Sequence, residues 1–302
     1  MKEKFQEIRF SPAKQSIVDV ANTIITDYEG QGYKLSLRQL YYQLVARNIV
    51  ENTEKSYKNV GNIISDARLA GLCDWDMIED RARQCVTPAH WSSPSEIVKV
   101  CARQYREDKW NAQPFYCEVM VEKQALEGVL EPVCNELDIS FTANKGYSSQ
   151  TMMYNAGKRL AYQYAKRVPA KNKKPRIVVF YLGDHDPSGM DMTRDVRDRL
   201  LMFSEHIPLE VIRLALNMDQ IEELNPPENP AKMSDSRAED YVAQFGDSSW
   251  ELDAVAPDQL AELVRNAVSE LRDEVLWGRS VDKENTGKER LQRIADNWED
   301  ND

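Results

Sequence analysis

Arg176–Gly189, RIVVFYLGDHDPSG, decides how the rest of the chain is read. Its apolar run, Ile177-Val178-Val179-Phe180-Tyr181-Leu182, is too short for a helix and rich in β-branched and aromatic residues. Such a run predicts a strand buried on both faces of a parallel sheet. Gly183 ends it, and Asp184 and Asp186 follow with His185 between them. Along extended backbone the two carboxylates lean to one side and the imidazole to the other. Pro187-Ser188-Gly189 then turns the chain into a predicted helix. Open α/β sheets bind ligands at the carboxyl ends of their strands, where these aspartates fall. Two hard oxygen ligands so close suit Mg²⁺, whereas the plain alternative is an acidic turn facing solvent.

The segments around it alternate strand and helix, as a parallel sheet requires. Phe115–Glu122 reads as a strand ending in Val121-Glu122-Lys123, followed by a helix over Gln124–Leu137. Ile139–Ala143 is a short strand ending in Asn144-Lys145-Gly146-Tyr147, and a helix over Gln150–Arg167 follows. A basic loop (Lys171, Lys173, Lys174) leads into the central strand. Beyond it come a helix over Met190–Phe203 and a strand over Glu210–Leu216. Glu122 ends one strand and Asp184 and Asp186 end another, so sheet geometry predicts an acidic cluster fit for one or two Mg²⁺ ions, with Mn²⁺ as an alternative.

The N-terminal third is helical by periodicity. Ser11–Tyr28 carries apolar residues at helical spacing, with Pro12 in the first turn. Ser36 and Gln39 form the S-x-x-Q capping-box pattern, and Leu37, Leu40, Tyr41, Leu44 and Val45 make one apolar stripe. Tyr42 is rotated about 100° off that stripe, on the face of Arg38. This pair reads either as a stacked surface pair or as a nucleophile beside a phosphate-stabilising cation. A third helix, about Lys55–Ala70, carries Arg68 near its end, and Gly71–Ile78 is predicted as a short hairpin or wing. Three short helices and a wing suggest a helix-turn-helix or winged-helix DNA-binding module, with a helical dimerisation domain as the alternative. Arg81–Trp91 reads as loop and Ser95–Lys109 as a connecting helix. The predicted domains are therefore 1–112, 113–255 and 256–302.

Composition bounds the function. A chain of 302 residues, 42% hydrophobic and 29% charged, suits a two-domain globular protein. It has no apolar run of 18 residues and no signal-peptide core at its start, so a cytoplasmic location is expected. Its five cysteines never form CxxC, which favours reduced thiols over a disulfide framework or zinc site. The net charge of −11 is unevenly spread. Residues 1–112 carry 16 basic against 15 acidic side chains, residues 113–200 carry 13 against 11, and residues 201–302 carry 10 against 24. The first two-thirds can thus present basic faces to a polyanion. In the last third a helix is predicted over Ser236–Phe245, a strand over Trp250–Val255 and a long helix over Asp258–Trp277, with a charged end from Gly278. Its acidic residues are read as solvated surface, competition with DNA for the basic groove being the alternative.

The motifs VEK (121–123), NKGY (144–147) and GDHDPSG (183–189) together resemble a Toprim domain. Their spacing most resembles the DNA topoisomerase VI A subunit and its relative, the meiotic double-strand-break protein. LRQLYYQ (37–43), followed by the Arg68 helix, resembles the winged-helix cleavage domain preceding Toprim in that family. The resemblance covers about residues 10–220. It implies Tyr42 as the nucleophile on DNA, Arg38 and Arg68 as its basic neighbours, and Glu122, Asp184 and Asp186 as the metal ligands. Lys123, Lys145, Lys171, Lys173 and Lys174 are candidate DNA-binding residues. It further implies a homodimer on double-stranded DNA with a separate ATPase subunit, since this chain has no GxxxxGK[ST] loop. The family usually has an acidic residue where this chain has Gln39, and the acidic last third has no clear match. A Toprim nuclease using water, and a DNA-binding accessory protein without catalysis, are the other readings.

Overall fold

A computed structural model of the protein describes residues 2–78, 88–167 and 175–298. Helices α1 (Pro12–Gly30), α2 (Leu37–Ala46) and α3 (Glu54–Leu69) open the chain. Each begins at a side-chain cap: Ser11, the Ser36/Gln39 capping box, and Thr53. These caps satisfy amides that the helix itself leaves unpaired. Val18, Ile24, Leu40, Leu44, Val60, Ile63 and Ile64 are fully buried where the three helices meet. The expected wing is not a hairpin. Residues 70–78 are held by single backbone bridges, Lys4 to Ala70 and Leu35 to Ile78. Gly71 has φ +73°, and a Cβ there would lie 2.9 Å from that of Lys4, so the close crossing needs glycine. Helix α4 (Pro94–Gln104) follows; most of the predicted Arg81–Trp91 loop lies outside the described residues.

Four parallel strands follow: β1 (Phe115–Val121), β2 (Ser140–Ala143), β3 (Arg176–Leu182) and β4 (Leu209–Ala215). Their order is β2-β1-β3-β4. β1 and β3 are central and buried on both faces, which accounts for their largely apolar sequences, Glu118 in β1 being paired with Arg159. Helix α5 (Glu127–Glu136) joins β1 to β2; α6 (Gln150–Arg167) and α7 (Pro187–Phe203) carry the chain back across the sheet. Right-handed crossovers running in opposite directions put α5 on one face and the α6/α7 pair on the other. The order therefore reverses between β1 and β3, and a ligand crevice is expected beyond their carboxyl ends.

The last third is α8 (Met218–Leu224), the antiparallel pair β5 (Glu228–Pro230) and β6 (Ser248–Trp250), α9 (Ala238–Phe245), α10 (Pro257–Leu271) and α11 (Glu274–Asp296). The single helix expected over Asp258–Trp277 breaks at Arg272, and the charged end is helical to Asp296, packed against α4. β6 docks on the aspartate turn: His185 and Trp250 exchange two backbone hydrogen bonds of 2.9 Å. Among the described residues no helix is long and apolar enough to cross a membrane.

Candidate active site at the carboxyl edge of the sheet

Glu122 and Asp184 leave the adjacent ends of β1 and β3, and register places them together. The backbone N–H of Asp184 donates to Glu122 Oε2 at 3.0 Å. Asp186 caps α7, its Oδ1 accepting from the Gly189 N–H at 2.6 Å and from the Ser188 hydroxyl at 2.9 Å. A Cβ on Gly189 would lie 2.2 Å from the Asp184 carbonyl oxygen, so this turn closes only around glycine. Arg213, from β4, stitches the turn from behind by donating to the carbonyls of Gly183 (3.1 Å) and Asp184 (2.6 Å). Nothing in the sequence singled Arg213 out.

Lys123 contributes the central cation. Its Nζ lies 2.9 Å from Asp184 Oδ2, 2.7 Å from Glu251 Oε2 and 3.0 Å from Asp253 Oδ1. Glu251 and Asp253 belong to the segment after β6, in the part of the chain read as solvated surface. They instead reach the basic residues: Glu251 also accepts from Arg38 Nη1 at 3.0 Å. The sequence did hold a signal for this, two carboxylates beside the apolar Trp250, Leu252, Ala254 and Val255, a composition that buries its polar neighbours. Asp253 is 1% exposed and its Oδ2 makes no hydrogen bond; the Arg38 Nε is 3.9 Å away.

Burial and the neighbouring Asp184 push the Glu122 carboxyl up to about 7. Burial likewise raises Asp184, and takes Asp253 to about 6 despite Lys123. Burial would lower the Lys123 ammonium, but Asp253, Asp184 and Glu251 outweigh it and hold it charged. His185 points away from the carboxylates among Tyr241, Phe245 and Trp250, its Nδ1 2.7 Å from the Tyr241 hydroxyl. Burial, with Arg213, lowers it to about 4, so it stays neutral and pins the last third to the turn.

A cleft of about 640 Å³ opens beside this cluster, between α2 and α3 on one side and the ends of β1 and β2 on the other. Arg38, Arg68, Glu122, Lys123, Lys145 and Asp253 all line it. Residues read separately from two parts of the sequence thus share one cavity. Arg68 is partly committed, donating to the carbonyls of Trp75 (2.8 Å) and Ile78 (2.5 Å) and stacking on the Trp75 ring. Lys171, Lys173 and Lys174 lie outside the described residues.

Tyr42 requires a correction. Periodicity placed it off the core and facing solvent, yet it is 4% exposed. The helix face it shares with Arg38 is covered by the β5–β6 region, and Tyr42 lines a small cavity with Asn52, Asn229 and Glu251. Burial, then Glu251 and Asp253, raise its phenol above the usual range. Nor does Arg38 stack on it; the guanidinium lies over the Tyr57 ring.

The donor set suits a hard divalent ion. Glu122, Asp184, Asp186, Glu251 and Asp253 offer only oxygens, against the cations Lys123, Arg38 and Arg213, and Asp253 Oδ2 is a buried orphan. Among the described residues, however, no three His, Cys, Asp or Glu side chains already stand as a ligand set. Glu122, Asp184 and Asp186 are each held by a backbone amide, those of Asp184, Leu252 and Gly189. No family model matches the chain, and no curated protein matches it.

Proposed function

We propose that the protein binds double-stranded DNA across this cleft and cuts it in a reaction that depends on Mg²⁺ or Mn²⁺. The observation that carries the reading is the cleft itself, where Arg38 and Arg68 of the helical part meet Glu122, Lys123 and Lys145 of the sheet edge. Cations that neutralise phosphate beside carboxylates that hold a hard metal are the parts that phosphodiester cleavage uses. In this reading the helical part is a winged-helix module, the parallel sheet is a Toprim domain, and the whole resembles a topoisomerase VI A subunit. The protein works as a homodimer, near DNA in the cytoplasm, with a separate ATPase subunit supplying any nucleotide-driven step.

Glu122, Asp184 and Asp186 would hold the metal, which when bound stabilises charge on the phosphate and the departing 3′ oxygen. Arg38 neutralises the phosphate. Lys145 holds the neighbouring backbone, joined by Lys171, Lys173 and Lys174, while Lys123 lends its charge from among Asp184, Glu251 and Asp253. Tyr42 attacks phosphorus in line: its oxygen bonds to the phosphate, the 3′ oxygen leaves with the electron pair, and the phenol proton passes to solvent. The product is a 5′-phosphotyrosyl link on each strand. Because Glu251 and Asn229 cover Tyr42, the β5–β6 region must withdraw first, which frees Arg38 in the same movement. Incubation with supercoiled DNA and Mn²⁺, stopped with denaturant, tests the step: wild type leaves protein covalently on DNA and Tyr42→Phe does not. Adducts that persist in Tyr42→Phe exclude that tyrosine.

The burial of Tyr42 gives specific support to a second reading, hydrolysis by water at the same cleft. Free 5′ phosphates with no adduct, from wild type and Tyr42→Phe alike, would establish it.

A further inference from the structure

The carboxylates of the site divide into two groups. Glu122 and Asp186 are each fastened through one oxygen to a backbone amide, at Asp184 and Gly189. Asp184 is fastened in the same way, its Oδ1 accepting from the Leu252 N–H at 2.8 Å, but its Oδ2 joins Glu251 and Asp253 around a single ammonium, at 2.9, 2.7 and 3.0 Å. Lys123 Nζ donates to Glu251 Oε2 and Asp253 Oδ1 and forms an ion pair with Asp184 Oδ2. The pocket is walled by oxygen donors from the turn after β3 and the segment after β6, the ligand type that hard divalent cations take. Lys123, and Arg38 at 3.0 Å from Glu251 and 3.9 Å from Asp253 Oδ2, set two positive charges against three carboxylates. Asp253, 1% exposed, lines the cleft, and its buried Oδ2 makes no hydrogen bond. Buried carboxylate oxygens are rarely left so.

We propose that the Asp184–Glu251–Asp253 pocket is a divalent-cation site whose resident occupant is the Lys123 ammonium, so that the protein takes up one metal ion where a two-ion site would take two. The inference extends the metal-dependent reading above and rests on it for the first ion, at Glu122, Asp184 and Asp186. Lys123 then acts as a positioning residue. It holds Asp184 and Glu251 in place, supplies the second centre of positive charge beside the scissile phosphate, and cannot be stripped by a chelator. It also explains why Glu251 and Asp253 are drawn into a site otherwise built from sheet residues.

The test is the stoichiometry of Mn²⁺ binding to the full chain, read by titration calorimetry and by the loss of the free Mn²⁺ resonance signal. Wild type is expected to bind one ion, Lys123→Ala two, and Lys123→Ala/Asp253→Asn one. Because removing Lys123 leaves carboxylates facing one another, Lys123→Ala is expected to melt lower than wild type in EDTA. Millimolar Mn²⁺ should restore its melting temperature and raise that of wild type much less. Two ions on wild type, or one ion on Lys123→Ala with no rescue of its melting by Mn²⁺, overturn the proposal. Glu122→Gln separates the two readings: it should lose the wild-type ion, while Glu122→Gln/Lys123→Ala keeps the gained one. If wild type binds none and Lys123→Ala binds one, the pocket stands and the metal-dependent function falls.

Discussion

Replacing Glu251 with Gln keeps its shape and removes its charge, and the outcome follows from its position. Its Oε2 lies 3.0 Å from Arg38 Nη1 and 2.7 Å from Lys123 Nζ, the cations a DNA phosphate would engage. A phosphate held by those groups would stand about 6 Å from the carboxylate. With an effective dielectric between ~20 and ~80, that repulsion is about 0.7–3 kcal/mol. Neutralising Glu251 should therefore tighten DNA binding by roughly 3- to 100-fold. Arg38 also becomes free to contact phosphate, so the slope of log affinity against log salt should steepen by about 0.9. The same change removes charge-assisted hydrogen bonds from a partly buried cluster and should cost about 1–2 kcal/mol of stability. Fluorescence anisotropy of a labelled duplex at several salt concentrations, well below the melting temperature, reads both effects. Affinity within twofold of wild type and an unchanged salt slope would refute the idea that Glu251 occupies a phosphate position.

Glu122 gives a pH prediction: its carboxyl titrates at about 7 in the fold against about 4.5 unfolded, so the native state binds the extra proton and stability falls as pH rises from about 4.5 to 7. The contribution is about 3 kcal/mol, and Glu122→Gln should flatten the fall in chemical denaturation run from pH 5 to 8. Mn²⁺ must displace that proton, so its affinity should rise about tenfold per pH unit below 7 and level off above, which calorimetry at pH 6, 7 and 8 would reveal. Gly189→Ala sets a Cβ 2.2 Å from the Asp184 carbonyl oxygen and should destabilise by about 1–3 kcal/mol, measured as a lower urea midpoint. Tyr241→Phe removes the hydroxyl that holds His185 Nδ1 and should cost about 1–2 kcal/mol while increasing hydrogen exchange in the β6 segment.

The sheet was legible because its signal is local. β3 is a continuous apolar run after Arg176 and β1 one broken only by Glu118, and each strand ends within a residue of where the sequence placed its end. The cap at Ser36 was equally plain, being a side chain three residues from the amide it satisfies. Tyr42 was misplaced for a definite reason: periodicity finds the face a helix turns to its nearest core. It cannot see that residues 228–254, nearly two hundred positions later, return to cover the opposite face. Glu251 and Asp253 were misread by the same blindness, since net charge describes a segment and says nothing of the cations waiting for it. Arg213 illustrates the limit well: a lone arginine in an edge strand becomes the brace of the aspartate turn only through tertiary contacts.

Cleavage of a supercoiled plasmid by wild type and by Glu122→Gln, in Mn²⁺ and in EDTA, bears most directly on the cleft as a metal-dependent DNA-cutting site. Strand breaks by wild type in Mn²⁺, none in EDTA, and a loss of at least about a hundredfold in Glu122→Gln are the predicted results. Equal cutting by Glu122→Gln, or intact plasmid with wild type under every ionic condition, would contradict it.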